Sequence, residues 1–123
     1  MQAVLLVGLG GALGSMARYL CSRMMVQWMP YTFPWGTFAV NVSGCFLIGL
    51  FFSLYGKGVI ATDNMRLFFM TGICGGYTTF SAFTLEGMTL IRENKQGLFF
   101  LYTAASVLLG LAATWLGIKC VRV

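Results

Sequence analysis

The chain is 123 residues long, 59% hydrophobic and only 9% charged, with a formal net charge of +5. An ordinary soluble domain carries roughly 25% charged residues, so eight basic and three acidic side chains cannot give this chain a soluble surface. A cytosolic enzyme, a nucleic-acid-binding domain and a disordered chain are disfavoured together, and an integral membrane protein remains.

Uncharged runs place the membrane crossings, because a helix needs about 20 apolar residues to cross a hydrocarbon core of about 30 Å. Residues 1–17 carry no charged side chain, and apolar character continues past Arg18 to Trp28, which predicts a first span over about 2–28. This segment lacks Lys and Arg at its start and has no small-x-small cleavage site before a polar stretch. It is therefore expected to be a span rather than a signal peptide. Residues 24–56 are also uncharged, but Pro30-Tyr31-Thr32-Phe33-Pro34 breaks the run. Two prolines that close predict a loop at the membrane surface, with Trp28, Tyr31 and Trp35 as an aromatic belt, and a second span over 35–56. The uncharged runs 67–85 and 96–118 centre a third span over about 66–91 and a fourth over 97–119. The expectation is an all-α integral membrane fold, a single domain over 1–123 with four transmembrane helices joined by short loops.

Charge does not choose an orientation. With four spans, the side holding both termini and the 57–66 loop has Lys57, Arg66, Lys119 and Arg122; the other has Arg23, Arg92 and Lys95. The positive-inside rule needs a bias that four against three does not supply. Either the span boundaries are slightly displaced, or copies insert both ways and pair antiparallel. Small residues four apart provide surfaces for close helix contact: Gly10 and Gly14, Gly72 and Gly76, Ser106 and Gly110, Ala113 and Gly117. Four helices enclose no aqueous lumen, so a transport path is expected between subunits.

Candidate functional residues are the polar groups that hydrocarbon penalises. The chain has no His, and its acids are Asp63, Glu86 and Glu93, which leaves little for acid–base or metal chemistry. Cys21, Cys45, Cys74 and Cys120 form no CxxC pair and read as reduced packing residues. Arg18 either snorkels to the headgroups or presents a cation to an anion at a pore mouth. Thr37 and Asn41 share one helix face; Asn41 is either an interhelical hydrogen bond or a donor amide on a pathway. The third span reads Thr71-Gly72-Ile73-Cys74-Gly75-Gly76-Tyr77-Thr78-Thr79-Phe80-Ser81-Ala82-Phe83-Thr84. Paired glycines followed by paired threonines argue against a regular helix there, and predict a break near its middle. A break frees backbone groups that need a partner in protein, ion or water. Phe80, Phe83 and Glu86 recur at three-residue spacing. Phenyl rings have positive edges that can face an anion. On the fourth span Tyr102, Ser106, Gly110 and Thr114 align every fourth residue, a stripe rich in hydrogen-bond donors.

Three blocks carry a family resemblance: Gly10-Gly11-Ala12-Leu13-Gly14-Ser15-Met16-Ala17-Arg18-Tyr19, Gly36-Thr37-Phe38-Ala39-Val40-Asn41-Val42-Ser43-Gly44 and Gly75-Gly76-Tyr77-Thr78-Thr79-Phe80-Ser81-Ala82-Phe83. In this order and spacing the chain closely resembles the Fluc (CrcB-type) fluoride channels of microbes, over essentially all four spans. The resemblance implies an antiparallel, dual-topology homodimer in the plasma (inner) membrane, exporting cytoplasmic fluoride passively through two pores along the subunit interface. It implies pore positions at Asn41, Phe80, Phe83, Ser81 and Thr79, a polar track at Tyr102 and Ser106 with Thr37 and Glu86, and Arg18 near the aqueous vestibule. It also implies a structural Na+ held by the backbone carbonyls of Gly75 and Thr78. The implied partners are fluoride, a second copy and membrane lipid, with no nucleic acid and no catalytic activity. One departure stands out, because Gly110 lacks the hydroxyl often found at the next rung of that track. The alternative is a small dual-topology multidrug/proton antiporter. That class needs a carboxylate in its first span, and this first span has Arg18 and no acid.

Overall fold

Apolar residues run without proline from Gln2 to Trp28 and form one helix, α1. Pro30 and Pro34 hold the connection open, and Pro34 sits at the N-cap of α2 (Trp35–Gly56), where a missing N–H costs nothing. The computed structural model describes residues 1–30 and 32–122; Tyr31 of the expected aromatic belt lies outside them. After α2 the chain turns at Gly58, whose φ of 80° is left-handed and open to glycine. Thr62 then caps α3 (Asp63–Arg66), its hydroxyl accepting from the Met65 N–H at 3.2 Å. The helix continues as a wider π-wound segment, Leu67–Cys74, and one further short turn, α4 (Gly75–Tyr77). Thr78 and Thr79 are extended, with ψ of 158° and 123°. Then α5 (Phe80–Arg92) begins. Asn94 takes a left-handed φ of 62°, a conformation Asn tolerates, and turns the chain into α6 (Gln96–Arg122).

Among the described residues the fold is all-helical, and three helices, α1, α2 and α6, are long and apolar enough to cross a membrane. The stretch expected as the third span is divided among α3, the π-wound segment, α4 and α5. Large apolar side chains point outward along α1 and α6, among them Leu5, Leu9, Leu108 and Leu111. That is the arrangement hydrocarbon favours, since lipid tails solvate leucine as well as a protein core does.

Association between such helices comes from close backbone approach and polar bridges, not from apolar burial. Two packed pairs show this. α2 lies along α6, and α1 lies along the π-wound segment and α4. In the first pair a Cβ added at Gly49 would strike the Thr114 carbonyl, and one at Gly117 would strike the Phe46 carbonyl. Ser53 Oγ donates to the Ile118 carbonyl at 2.9 Å and Thr114 Oγ1 to the Cys45 carbonyl at 3.0 Å. In the second pair Gly10 faces Gly72, Gly14 faces Ile73 and Tyr77, and Gly76 faces the Gly11 backbone. At the end near the α2–α3 loop, Tyr55 Oη donates to Asp63 Oδ1 at 2.9 Å. The Arg66 guanidinium lies 5.7 Å from the Tyr55 ring centroid, so the loop is pinned at its base.

Candidate functional site

The interruption at Thr78 and Thr79 is stabilised by one side chain from α2. Asn41 Oδ1 accepts from the Thr79 N–H at 2.8 Å, and Asn41 Nδ2 donates to the Thr79 carbonyl at 3.0 Å. A single amide thus mimics a strand partner for one extended residue. It uses one of its two Nδ2 hydrogens, and Asn41 also lines a cavity described below.

Four carbonyls, those of Gly75, Gly76, Tyr77 and Thr78, lose their i+4 helical donors at the break, and for two of them the diverted N–H can be followed. In a continuous helix the Thr79 N–H would return to the Gly75 carbonyl; here it goes to Asn41. The Ala82 N–H would return to the Thr78 carbonyl; here it goes to Thr79 Oγ1 at 3.2 Å, the N-cap of α5. The Gly75 and Thr78 carbonyls are therefore both released from helical pairing. Gly75 has open space where a side chain would be. The Gly76 carbonyl has another fate, accepting from Arg18 Nε at 3.1 Å and Ser15 Oγ at 3.4 Å. The Arg18 guanidinium is thereby held beside the break.

A cavity of about 450 Å³ opens beside this break. Asn41, Thr78, Thr79, Phe80, Phe83 and Ser106 line it, with Gly75 at its edge. A second cavity, about 320 Å³, is lined by Thr37, Glu86, Phe33 and Trp35 among others. The helices place these cavities in series. Thr37 and Asn41 are one turn apart on α2, Phe83 and Glu86 one turn apart on α5, and Tyr102 and Ser106 one turn apart on α6. Tyr102 is fully buried between them. Its ring centroid lies 5.0 Å from that of Phe83 and 5.3 Å from that of Phe33, the latter edge-on at 83°. Phe80 and Phe83 are 5.9 Å apart, so a continuous row of rings joins the two cavities.

The polar atoms along this row are short of partners. Glu86 Oε1, Tyr102 Oη, Thr103 Oγ1 and Ser106 Oγ are buried with no hydrogen-bond partner among the described residues. Buried hydroxyls left unpaired are costly in a low-dielectric setting, and three of these four groups can donate. The arrangement suits a small hydrogen-bond acceptor.

Each sequence-predicted residue therefore has a definite place. Asn41, Thr79, Phe80, Phe83 and Ser106 share one cavity, and Thr37 and Glu86 the next, with Tyr102 between. Ser81 lines neither; it is exposed on the single chain, and its carbonyl accepts from Thr84 Oγ1. Thr114 of the α6 stripe is turned to α2, with its hydroxyl committed to Cys45. Sequence reasoning missed Ser15, which joins Arg18 on Gly76, and Ser43, which pairs with Tyr77 Oη at 2.8 Å. It also missed Cys45, Met70 and Cys74 as cavity-lining residues. Their only signal was position within apolar runs, which packing residues share.

Comparison with known proteins adds an independent line. Residues 5–118 match the family model described as CrcB-like protein, Camphor Resistance (CrcB). The chain is 45% identical over 118 residues to a protein of Flavobacterium psychrophilum named fluoride-specific ion channel FluC, covering 96% of this chain and 95% of that relative. It is 43% identical over 122 residues to a FluC of Rhizobium leguminosarum bv. trifolii, covering 99% and 98%. With a FluC of Phocaeicola vulgatus it shares 44% over 118 residues, covering 96% and 97%.

Proposed function

The chain belongs to the CrcB-like family, a family of ion channels and not of enzymes, and from that premise we propose that it conducts fluoride passively out of the cytoplasm across a bacterial plasma membrane. The observation that carries this is the row of phenyl rings and unpaired hydroxyls joining two cavities in series. Fluoride is small and strongly hydrated, and stripping it of water is expensive. Tyr102 and Ser106 hydroxyls and the free Nδ2 hydrogen of Asn41 replace that water with donors. The edges of Phe80 and Phe83 hold the ion weakly enough to let it move on. Arg18, fixed near the break, adds a positive field that favours entry of an anion. Ser81 belongs to this path only through the face it offers to a second copy.

Two copies would complete the path. We read the protein as an antiparallel, dual-topology homodimer with a fluoride pore on each side of the interface. Three features support this: the near-even charge count on the two membrane faces, the open side of the larger cavity, and Phe80, which is 76% exposed on the single chain. Reporters fused to each terminus are expected to register on both membrane faces; a single orientation would overturn the inverted pairing.

The carbonyls of Gly75 and Thr78 are a reasonable donor set for Na+, being hard oxygen ligands deprived of their own hydrogen bonds. When bound, the ion would take the place of the donors these carbonyls have lost and add positive charge at the centre of the assembly. Exchanging Na+ for a bulky organic cation is expected to weaken the dimer or lower flux; indifference in both measurements would remove the ion from the proposal.

The deciding experiment is fluoride efflux from proteoliposomes containing the purified chain. Proton-independent, anion-selective efflux supports the channel, and proton-coupled drug transport without fluoride efflux would replace it with an antiporter. Phe80→Ile and Phe83→Ile keep apolar bulk but remove the positive ring edge. Each is expected to lower efflux about 2- to 12-fold, matching ~0.5–1.5 kcal/mol for a lost ring interaction. Unchanged flux in both variants would discredit the ring role.

A further inference from the structure

Three sulfur-bearing residues of this chain line the larger cavity. Cys45 on α2, and Met70 and Cys74 on the π-wound segment, line it together with Asn41, Phe80 and Phe83. Met70 and Cys74 are four residues apart, about one turn of the winding, and so share a face. The Cys45 and Cys74 side chains, from different elements, border the same cavity. Both are free cysteines, and Cys74 is only 3% exposed. The small residue at 110 makes room for this group, because a Cβ there would stand 3.3 Å from Cys45 Sγ. Where a hydroxyl on α6 would continue the donor stripe, this chain has a glycine with a thiol facing it.

We propose that Cys45 and Cys74, assisted by the Met70 thioether, form a binding site for a soft, two-coordinate d10 metal cation, and that occupation of this site blocks the path. The donor set selects the metal class. Thiolate and thioether sulfur prefer Hg(II), Ag(I) and Cu(I), for which two thiolates in line suffice. A structural Zn2+ site needs four ligands, and no cluster of three or more His, Cys, Asp or Glu exists among the described residues. On binding, each thiol loses its proton to solvent and two S–metal bonds form, with no change of oxidation state. The bound cation would occupy the space between Asn41 and the two phenyl rings.

The blocking half of this proposal rests on the fluoride reading above; the binding half does not. The test uses the full-length chain carrying Cys21→Ser and Cys120→Ser, so that Cys45 and Cys74 are its only thiols, with HgCl2 as the probe. Thiol titration and intact mass are expected to show one mercury per chain and both thiols consumed, and fluoride efflux is expected to be lost and then recovered with excess dithiol. Adding Cys45→Ser and Cys74→Ser should abolish mercury retention, and efflux from that variant, compared with its own untreated rate, should resist mercury. Two mercury atoms per chain, a thiol left free beside bound mercury, or mercury retained without either cysteine would each overturn the site. Mercury bridging the thiols without loss of efflux would overturn the block. If the untreated unsubstituted chain conducts no fluoride, the channel reading fails, while mass and thiol titration of the Cys21→Ser, Cys120→Ser protein still decide the metal site.

Discussion

Asn41→Asp is expected to lower fluoride efflux by about 100-fold or more while the protein still purifies as a folded species. Two effects act in the same direction. The Asn41 amide accepts from the Thr79 N–H at 2.8 Å and donates to the Thr79 carbonyl at 3.0 Å. A carboxylate keeps the first bond and loses the second, placing an anionic oxygen against a carbonyl oxygen. Leaving a buried carbonyl unpaired costs about 1–3 kcal/mol. The new charge also stands on the cavity through which the anion is proposed to pass. At ~5 Å and an effective dielectric constant of ~20, like charges repel by about 3 kcal/mol, a factor of roughly 200 in occupancy. Efflux and thermal unfolding measured on one preparation separate the two effects. A folded Asn41→Asp protein with wild-type efflux would show that Asn41 braces the break and takes no part in conduction.

Gly14→Ala is expected to be among the most damaging single methyl additions. A Cβ at this position would collide with the Ile73 carbonyl and approach the Tyr77 nitrogen to 2.9 Å. Both neighbours are backbone, so no side chain can rotate away, and α1 must move off the π-wound segment. Overpacking of this kind costs about 1–3 kcal/mol. The displacement also pulls on Ser15 and Arg18, whose bonds to the Gly76 carbonyl lie within one further turn of α1. Each such interhelical bond contributes about 0.6–2 kcal/mol in a membrane. The unfolding temperature in detergent is expected to fall and efflux to drop with it, because these α1 contacts hold the Gly76 carbonyl just before the Thr78–Thr79 break. Gly8→Ala is the control, since a Cβ at Gly8 meets nothing within 4 Å. Equal stability of the two variants would mean that α1 does not pack on the third span through glycine.

Much of the site was legible because helical spacing is strict. Thr37 with Asn41, Phe80 with Phe83, and Tyr102 with Ser106 each share a face by periodicity alone, and any fold that keeps these helices keeps those pairs. Periodicity does not say what each face meets. Thr114 continues the α6 stripe in register, yet its hydroxyl is spent on the Cys45 carbonyl. Asn41 admitted two readings from sequence, bridge or pore donor. The hydrogen bonds to Thr79 use its oxygen and one N–H, which makes it a bridge, while Asn41 also lines the larger cavity.

What the sequence determined by itself is the solvent and the chain's response to it. With 59% hydrophobic and 9% charged residues, the backbone must satisfy its hydrogen bonds internally, which in a chain of these apolar runs means helices in a bilayer. What only the tertiary structure decided is where that satisfaction fails. Asn41 and Thr79 Oγ1, the first brought in from another helix, take the N–H groups that Gly75 and Thr78 would have used. Which carbonyls are freed, and which sulfurs and hydroxyls face one cavity, depends on contacts between helices distant in sequence, and a local pattern does not encode those distances.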